Sequence, residues 1–112
     1  MMTAVDSAAD AGLVRVLLRM EVRPGTEADF EQTWLEIGRR IAEQPANLGQ
    51  QLVRSTTDPH VYFVVTDWAD ETSFRTFELS APHQENRAAL NRFRVAGEMT
   101  VTRLVHRLEV AS

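Results

Sequence analysis

Apolar residues in this chain first recur with the period of a β-strand and then with the period of a helix. This order constrains the fold more strongly than any other feature of the sequence. Residues 13–22 (LVRVLLRMEV) alternate between apolar and polar positions, which predicts a β-strand with one buried face. Residues 27–44 instead carry apolar side chains at spacings of three and four, which predicts a helix with one apolar stripe: Phe30, Trp34, Ile37 and Ile41. The chain therefore opens with a strand and a helix, and Pro45 ends that helix.

The rest of the chain repeats this alternation. Strands are predicted at residues 50–56 and 60–69, joined by a short turn at Asp58 and Pro59. A helix follows at 71–79, a second helical piece at 83–93, and a last strand at 99–110. The order β-α-β-β-α-β predicts an α+β, ferredoxin-like fold, in which a four-stranded antiparallel sheet carries both helical segments on one face.

Such a two-layer fold leaves the other face of the sheet uncovered. The third strand would place Val61, Phe63 and Val65 on that face, which is too apolar to leave in water. A second copy of the chain is the simplest cover, so we expect a homodimer packed sheet against sheet. The alternative is a monomer whose open face is made partly polar by Arg15, Arg19 and Asp67.

Composition excludes several classes of chemistry. The chain of 112 residues has no cysteine, and its twelve basic residues are all arginine. Disulfides, thiolate nucleophiles, cysteine-bound metals and lysine Schiff bases are thereby excluded, and the three histidines form no metal-binding motif. A net charge of −4 argues against a nucleic-acid surface, and no apolar run is long enough to span a membrane. We expect a cytoplasmic protein with one domain at 13–110.

The first twelve residues lack the basic and apolar regions of a secretory signal. We expect them to form a flexible leader.

Four short segments carry a resemblance to a known family. In chain order they are 22–27 (VRPGTE) followed by Phe30, 45–49 (PANLG), 66–71 (TDWADE) followed by Phe74, and 80–83 (SAPH). Together they resemble the antibiotic biosynthesis monooxygenase (ABM) domain of the dimeric α/β-barrel superfamily, over about residues 13–109. The nearest likeness is to the small oxygenases of type II aromatic polyketide clusters.

The resemblance implies an oxygenase that converts a polycyclic phenol or anthrone to a quinone with dioxygen, without flavin, haem or metal. Its implied partners are a small aromatic polyketide and a second copy of the chain, and other polyketide biosynthesis enzymes remain open as partners. Two alternatives stay open beside it. One is a cyclase or isomerase on the same scaffold, and the other is a non-catalytic dimer that binds an intermediate.

The fold places a pocket between the helices and the sheet, where three residues are candidates for catalysis. His83 is the candidate base, because an imidazole accepts a proton near neutral pH. Arg87 could stabilise the resulting phenolate, and the indole N–H of Trp68 could hold a carbonyl or peroxide oxygen. For each there is a structural alternative: a corner tryptophan that packs strand against helix, and a solvated start of a helix at His83 and Arg87.

A wider set of residues is predicted to contact the substrate. It consists of Leu18, Trp34, Arg54, Tyr62, Val64, Thr66, Phe74, Phe77 and Asn86. Trp34 could equally be ordinary core, since a helical stripe packs inward by default. Some of these positions depart from the resembled family: Phe74, Val64 and Arg54 stand where its best-known hydroxylases have tyrosine, asparagine and histidine. Haem-degrading relatives have tryptophan and histidine where Phe77 and Arg87 stand, which argues against haem chemistry.

Overall fold

The computed structural model describes residues 3–6 and 12–111, with side chains described over 12–110. The elements in chain order are β1 (Thr3–Asp6), β2 (Val14–Val22), α1 (Glu27–Ile41), β3 (Asn47–Arg54), β4 (Val61–Trp68), α2 (Glu71–Glu78), α3 (Ala81–Asn91), β5 (Arg94–Arg103) and β6 (Leu108–Ala111). Within these ranges, no helix has the length and apolar character needed to cross a bilayer.

Four of the strands form one antiparallel sheet in the order β3-β4-β2-β5. This order and the single helical layer confirm the ferredoxin-like fold that the sequence predicts. One face of β2 is buried, as the alternation of its residues predicts. Val14, Val16 and Met20 are buried on this face, whereas Leu17, on the opposite face, is 36% exposed. The apolar core therefore lies between the sheet and the helices.

Side-chain caps fix where the second and third helices begin. Asp70 accepts a hydrogen bond from the N–H of Ser73 (2.7 Å) at the start of α2. Ser80 accepts one from the N–H of His83 (3.4 Å) at the start of α3, and its hydroxyl donates to the carbonyl of Phe77 (2.6 Å). This double contact of Ser80 joins the two helices and sets which side of α3 faces the sheet.

The last strand differs most from its prediction at 99–110. β5 begins at Arg94, because Ala96 and Gly97 are not a loop but part of the strand, where Gly97 pairs with Met20. A Cβ at Gly97 would lie 2.8 Å from Nε of Arg94, so glycine makes room for that side chain. Smaller shifts occur elsewhere: β3 spans 47–54 rather than 50–56, and α1 ends at Ile41 rather than at 44.

The strand also breaks after Arg103, and its continuation, β6, pairs with β1 in a separate two-stranded sheet. The expectation of a flexible leader at 1–12 did not anticipate β1. Residues 1, 2 and 7–11, which belong to that expectation, lie outside the described part of the chain.

The face of the sheet opposite the helices carries both apolar and charged groups. Phe63 is 36% exposed and Val53 is 45% exposed on this face. On the two central strands, Arg15 of β2 holds Asp67 of β4 with two parallel hydrogen bonds, Nε to Oδ1 (2.8 Å) and Nη2 to Oδ2 (2.9 Å). Packing of a second copy onto this face stays a prediction.

We expect light scattering on a sizing column to give twice the mass of one chain. Phe63→Arg should shift the protein to one chain, because a guanidinium would be buried without a partner between two sheets. Leu79→Arg is the matched control, since Leu79 is 75% exposed at the end of α2 on the helical side and should leave the dimer intact. A wild-type mass of one chain at tens of micromolar protein would contradict the expectation.

Candidate active site

A cavity of about 260 Å³ lies between the helical layer and the sheet. This volume is just below the roughly 300–1,000 Å³ typical of small-molecule sites. The sheet supplies its floor, from β2 to β5, and all three helices contribute to its walls. Aromatic rings from α1, α2 and β4 make most of the wall that a flat ligand would contact: Trp34, Trp68, Phe74 and Phe77.

Nine of the twelve predicted site residues line this cavity. They are Leu18, Trp34, Val64, Thr66, Trp68, Phe74, Phe77, His83 and Arg87. The parity of the strands and the phase of α3 bring these side chains to one cavity. Their roles in binding or catalysis stay predictions.

Tyr62 and Arg54 do not line the cavity, contrary to the prediction. Tyr62 shares the parity of Trp68 but lies six residues away on β4, about 20 Å along an extended strand. At that end Phe30, which is fully buried, fills the space with its ring centroid 4.8 Å from that of Tyr62. The Tyr62 hydroxyl donates to Glu31 (2.5 Å), and Nε of Arg54 donates to the carbonyl of Pro59 (2.8 Å).

Asn86 is the third predicted residue that lies outside the cavity lining, although it is buried. The residues of α3 that line the cavity are His83, Arg87, Leu90 and Asn91. These share one stripe of the helix at the spacings that bring side chains onto one face. Asn86 lies beside that stripe, one residue before Arg87.

His83 is the titratable group best placed for proton transfer. Its ring stacks on Phe77 with centroids 4.3 Å apart, and its Nδ1 is buried with no hydrogen-bond partner among the described residues. Burial lowers the pKa of His83 below its usual value, the positive charge of Arg87 lowers it further, and Glu78 opposes them. The imidazole is therefore neutral near pH 7, so one of its ring nitrogens can accept a proton.

Trp68 adopts the packing arrangement that was the structural alternative for it. Its side chain is 1% exposed and its ring lies 4.8 Å from that of Phe77 and 5.7 Å from that of Phe74. The indole N–H is already used, because it donates to Oγ1 of Thr66 (2.9 Å). Contact between this N–H and a substrate oxygen stays a prediction, and it would require Thr66 to give up the bond.

Sequence reasoning missed several polar residues at the cavity. Arg94 and Glu98 lie between the helical piece predicted at 83–93 and the strand predicted at 99–110, so the sequence placed neither of them at the site. Gln50 could have been found, because it precedes Leu52 by two residues and therefore shares its helix-facing side of β3. Glu78 and Asn91 are the other polar residues of the lining outside the prediction.

The residues at the cavity do not resemble a metal centre. Among residues 3–6 and 12–111, no group of three or more histidine, aspartate or glutamate side chains is arranged to hold a metal ion. The lining is mainly aromatic and aliphatic, and its polar side chains are Gln50, Thr66, Glu78, His83, Arg87, Asn91, Arg94 and Glu98. This arrangement suits a planar aromatic molecule with a few polar substituents.

Fold and cavity together define an α+β domain that encloses a small aromatic-lined site under its helices. The model of the family described as "Antibiotic biosynthesis monooxygenase" (ABM) matches residues 13–89 of this sequence. The chain therefore belongs to the antibiotic biosynthesis monooxygenase family, as the resemblance of its four short segments predicts.

Two curated proteins of Streptomyces are similar to this chain. Protein SchA of Streptomyces halstedii is 28% identical over 76 residues, and a 42.8 kDa protein in the whiE locus of Streptomyces coelicolor is 29% identical over 77 residues. These matches cover 68% and 69% of this chain but only 20% and 19% of the relatives. The chain thus spans about a fifth of the length of the curated relatives it matches.

A solved structure of similar fold is that of SnoaB, a cofactor-independent oxygenase from Streptomyces nogalater. It superposes with a TM-score of 0.77 over 85% of this chain and 95% of SnoaB, at 22% identity. A conserved protein from Methanosarcina mazei superposes with a TM-score of 0.80 at 15% identity, over 87% of this chain and 97% of that protein. At these identities the likeness establishes the fold alone.

Proposed function

We propose that this protein is a cofactor-independent monooxygenase that oxidises an anthrone or phenol of a polycyclic aromatic polyketide to a quinone. Membership of the antibiotic biosynthesis monooxygenase family supports an oxygenase, and the described activity of SnoaB supports one that needs no cofactor. The observation that carries the proposal is the aromatic cavity beside the half-buried His83, whose Nδ1 has no hydrogen-bond partner among the described residues and whose pKa is lowered by burial and by Arg87.

The substrate must supply the electrons for such a reaction. An anthrone CH2 loses a proton to His83, and the carbanion, delocalised as a phenolate, transfers an electron to dioxygen. The two radicals combine to a peroxide anion, which takes the proton back from His83, and the resulting hydroperoxide loses water to leave the quinone carbonyl. One oxygen atom is thereby kept in the product, and the other leaves as water with both hydrogens of the CH2 group.

The protein contributes proton transfer, charge stabilisation and exclusion of water. His83 removes the proton, and the guanidinium of Arg87, one helical turn further along α3, stabilises the negative oxygen. The aromatic walls keep bulk water from the radical and peroxide, which would otherwise react with it. The same residues could steer a ring closure, so the cyclase alternative differs from the oxygenase only in its use of oxygen.

The proposal is tested with purified protein, an anthrone and air, with a chelator present and no flavin added. We expect quinone absorbance to rise above the buffer rate while one dioxygen is consumed per quinone formed. Ring closure without oxygen uptake would support the cyclase instead. Turnover only after addition of flavin or iron would contradict the proposal.

The pH dependence of this reaction should follow the protonation of the His83 imidazole. The base works only when neutral, so kcat/KM should fall as the pH drops through its pKa, and burial and Arg87 place that midpoint below about 6.5. Arg87→Gln removes the positive charge that helps to lower the pKa of His83, so the midpoint of the kcat/KM profile should move to higher pH. A midpoint above 7 in the wild type, or no shift in the variant, would contradict the assignment of His83 as the base.

A further inference from the structure

The sheet wall of the cavity contains a buried hydrogen-bond acceptor without a partner. Gln50, on β3, lines the cavity, and its Nε2 donates to the main-chain carbonyl of Gly38 in α1. Because that carbonyl can only accept, the amide nitrogen must face it, which turns Oε1 the other way. Oε1 is buried, and no group in the described part of the chain donates to it.

The helix backbone holds this amide in place. Gly38 is buried in α1, and a Cβ at this position would lie 3.4 Å from Nε2 of Gln50 and 3.6 Å from the ring of Trp34. The amide of Gln50 thus packs directly against the backbone of α1 and beside the ring of Trp34. The direction of Oε1 is then fixed by a main-chain contact rather than by a mobile side chain.

A donor lies next to this acceptor. Thr66 is the partner of Gln50 in the pairing of β3 with β4, and side chains at such paired positions have Cβ atoms about 4.5–5.5 Å apart. Oγ1 of Thr66 already accepts the indole N–H of Trp68 (2.9 Å), so the hydroxyl hydrogen is left to donate elsewhere. Both side chains line the cavity.

We infer that Gln50 and Thr66 bind one phenolic hydroxyl of the ligand, which donates to Oε1 of Gln50 and accepts from the hydroxyl of Thr66. This rests on the proposed function and narrows its substrate class. A carbonyl oxygen at Gln50 repels a phenolate, so this hydroxyl stays protonated while His83 acts elsewhere on the ring. The substrate therefore carries a hydroxyl in addition to the group that is oxidised.

Burial of the acceptor makes this contact selective. A ligand without an O–H leaves Oε1 unpaired in an apolar site, whereas a phenol pairs it. The amide cannot turn to offer its N–H instead without losing the carbonyl of Gly38. The pocket should therefore discriminate between a phenol and its methyl ether, which have the same ring and the same oxygen.

Calorimetric titration with 1-naphthol and 1-methoxynaphthalene tests the inference without any turnover. The wild type should bind 1-naphthol about tenfold more tightly, as expected for one hydrogen bond to a buried acceptor. Gln50→Leu should make the two affinities equal, because the ether no longer leaves Oε1 unpaired and the naphthol no longer gains that hydrogen bond. Binding of both ligands by this variant also reports that the cavity is intact. Thr66→Val should weaken the binding of both ligands relative to naphthalene.

Gln51→Leu is the matched control, because Gln51 is the next residue on β3, is exposed and points to the other face of the sheet. It should keep the tenfold preference. The inference is wrong if Gln50→Leu keeps that preference, or if the wild type shows none. A normal preference in a protein that oxidises no anthrone would instead contradict the proposed function and leave the assignment of Gln50 intact.

Discussion

Replacing His83 by glutamine should lower kcat for anthrone oxidation by about 10²–10⁴-fold, the usual contribution of a positioned general base. Glutamine keeps a polar side chain of similar reach but cannot accept a proton at neutral pH. Substrate affinity should change little, because the aromatic walls that hold the ring are untouched. Steady-state kinetics of quinone formation separate the two effects, as a loss in kcat with KM nearly unchanged.

His60→Gln is the matched control for this experiment. His60 lies outside the cavity, where its Nδ1 contacts Glu27 (3.0 Å) at the start of α1, so its replacement should leave kcat within twofold of the wild type. Equal losses in both variants would point to a general effect on folding. A His83→Gln protein with the wild-type rate would remove His83 from the mechanism.

Trp68→Ala should lower the free energy of unfolding by about 3–5 kcal/mol, a large part of the roughly 5–15 kcal/mol that holds a domain together. The ring is 1% exposed and packs on Phe74 and Phe77, so its loss leaves a void beside the cavity. Its bond to Thr66 is lost as well. Urea unfolding followed by circular dichroism gives the value.

Trp34→Ala is the matched control, because it also replaces a tryptophan by alanine. Trp34 is only partly buried at the rim of the core, so the loss should be clearly smaller. A loss below about 1 kcal/mol for Trp68→Ala would mean that the corner packing contributes little, and would favour a purely functional reason for this tryptophan.

The elements of the main sheet and the helices could be predicted because their patterns are strong. In β2 the alternation of Val14, Val16 and Met20 with polar positions identifies both the strand and its buried face. In α1 the stripe through Phe30 and Ile37 does the same for the helix. Such periodic patterns arise because one whole face of the strand or helix is buried. The residues of the core could therefore be predicted from the sequence.

The ends of the chain and part of the site could not be predicted in this way. β5 begins at Arg94 because its first residues pair with β2, Ala96 with Glu21 and Gly97 with Met20, which is a contact between distant segments that local sequence does not report. β1 and β6 pair only with each other, and the pairing of two distant short strands leaves no periodic signal. Tyr62 was placed at the site by parity alone, although Phe30 fills that end of the layer.

The direct test of the account is a crystal structure of the protein with a hydroxyanthraquinone, the class of product proposed here. We expect the rings to lie in the cavity between the sheet and the helices, against Phe77 and Trp34, with a quinone carbonyl facing His83 and the hydroxyl between Gln50 and Thr66. Rings bound only on the open face of the sheet, or a cavity left without ligand at saturating concentration, would contradict the account.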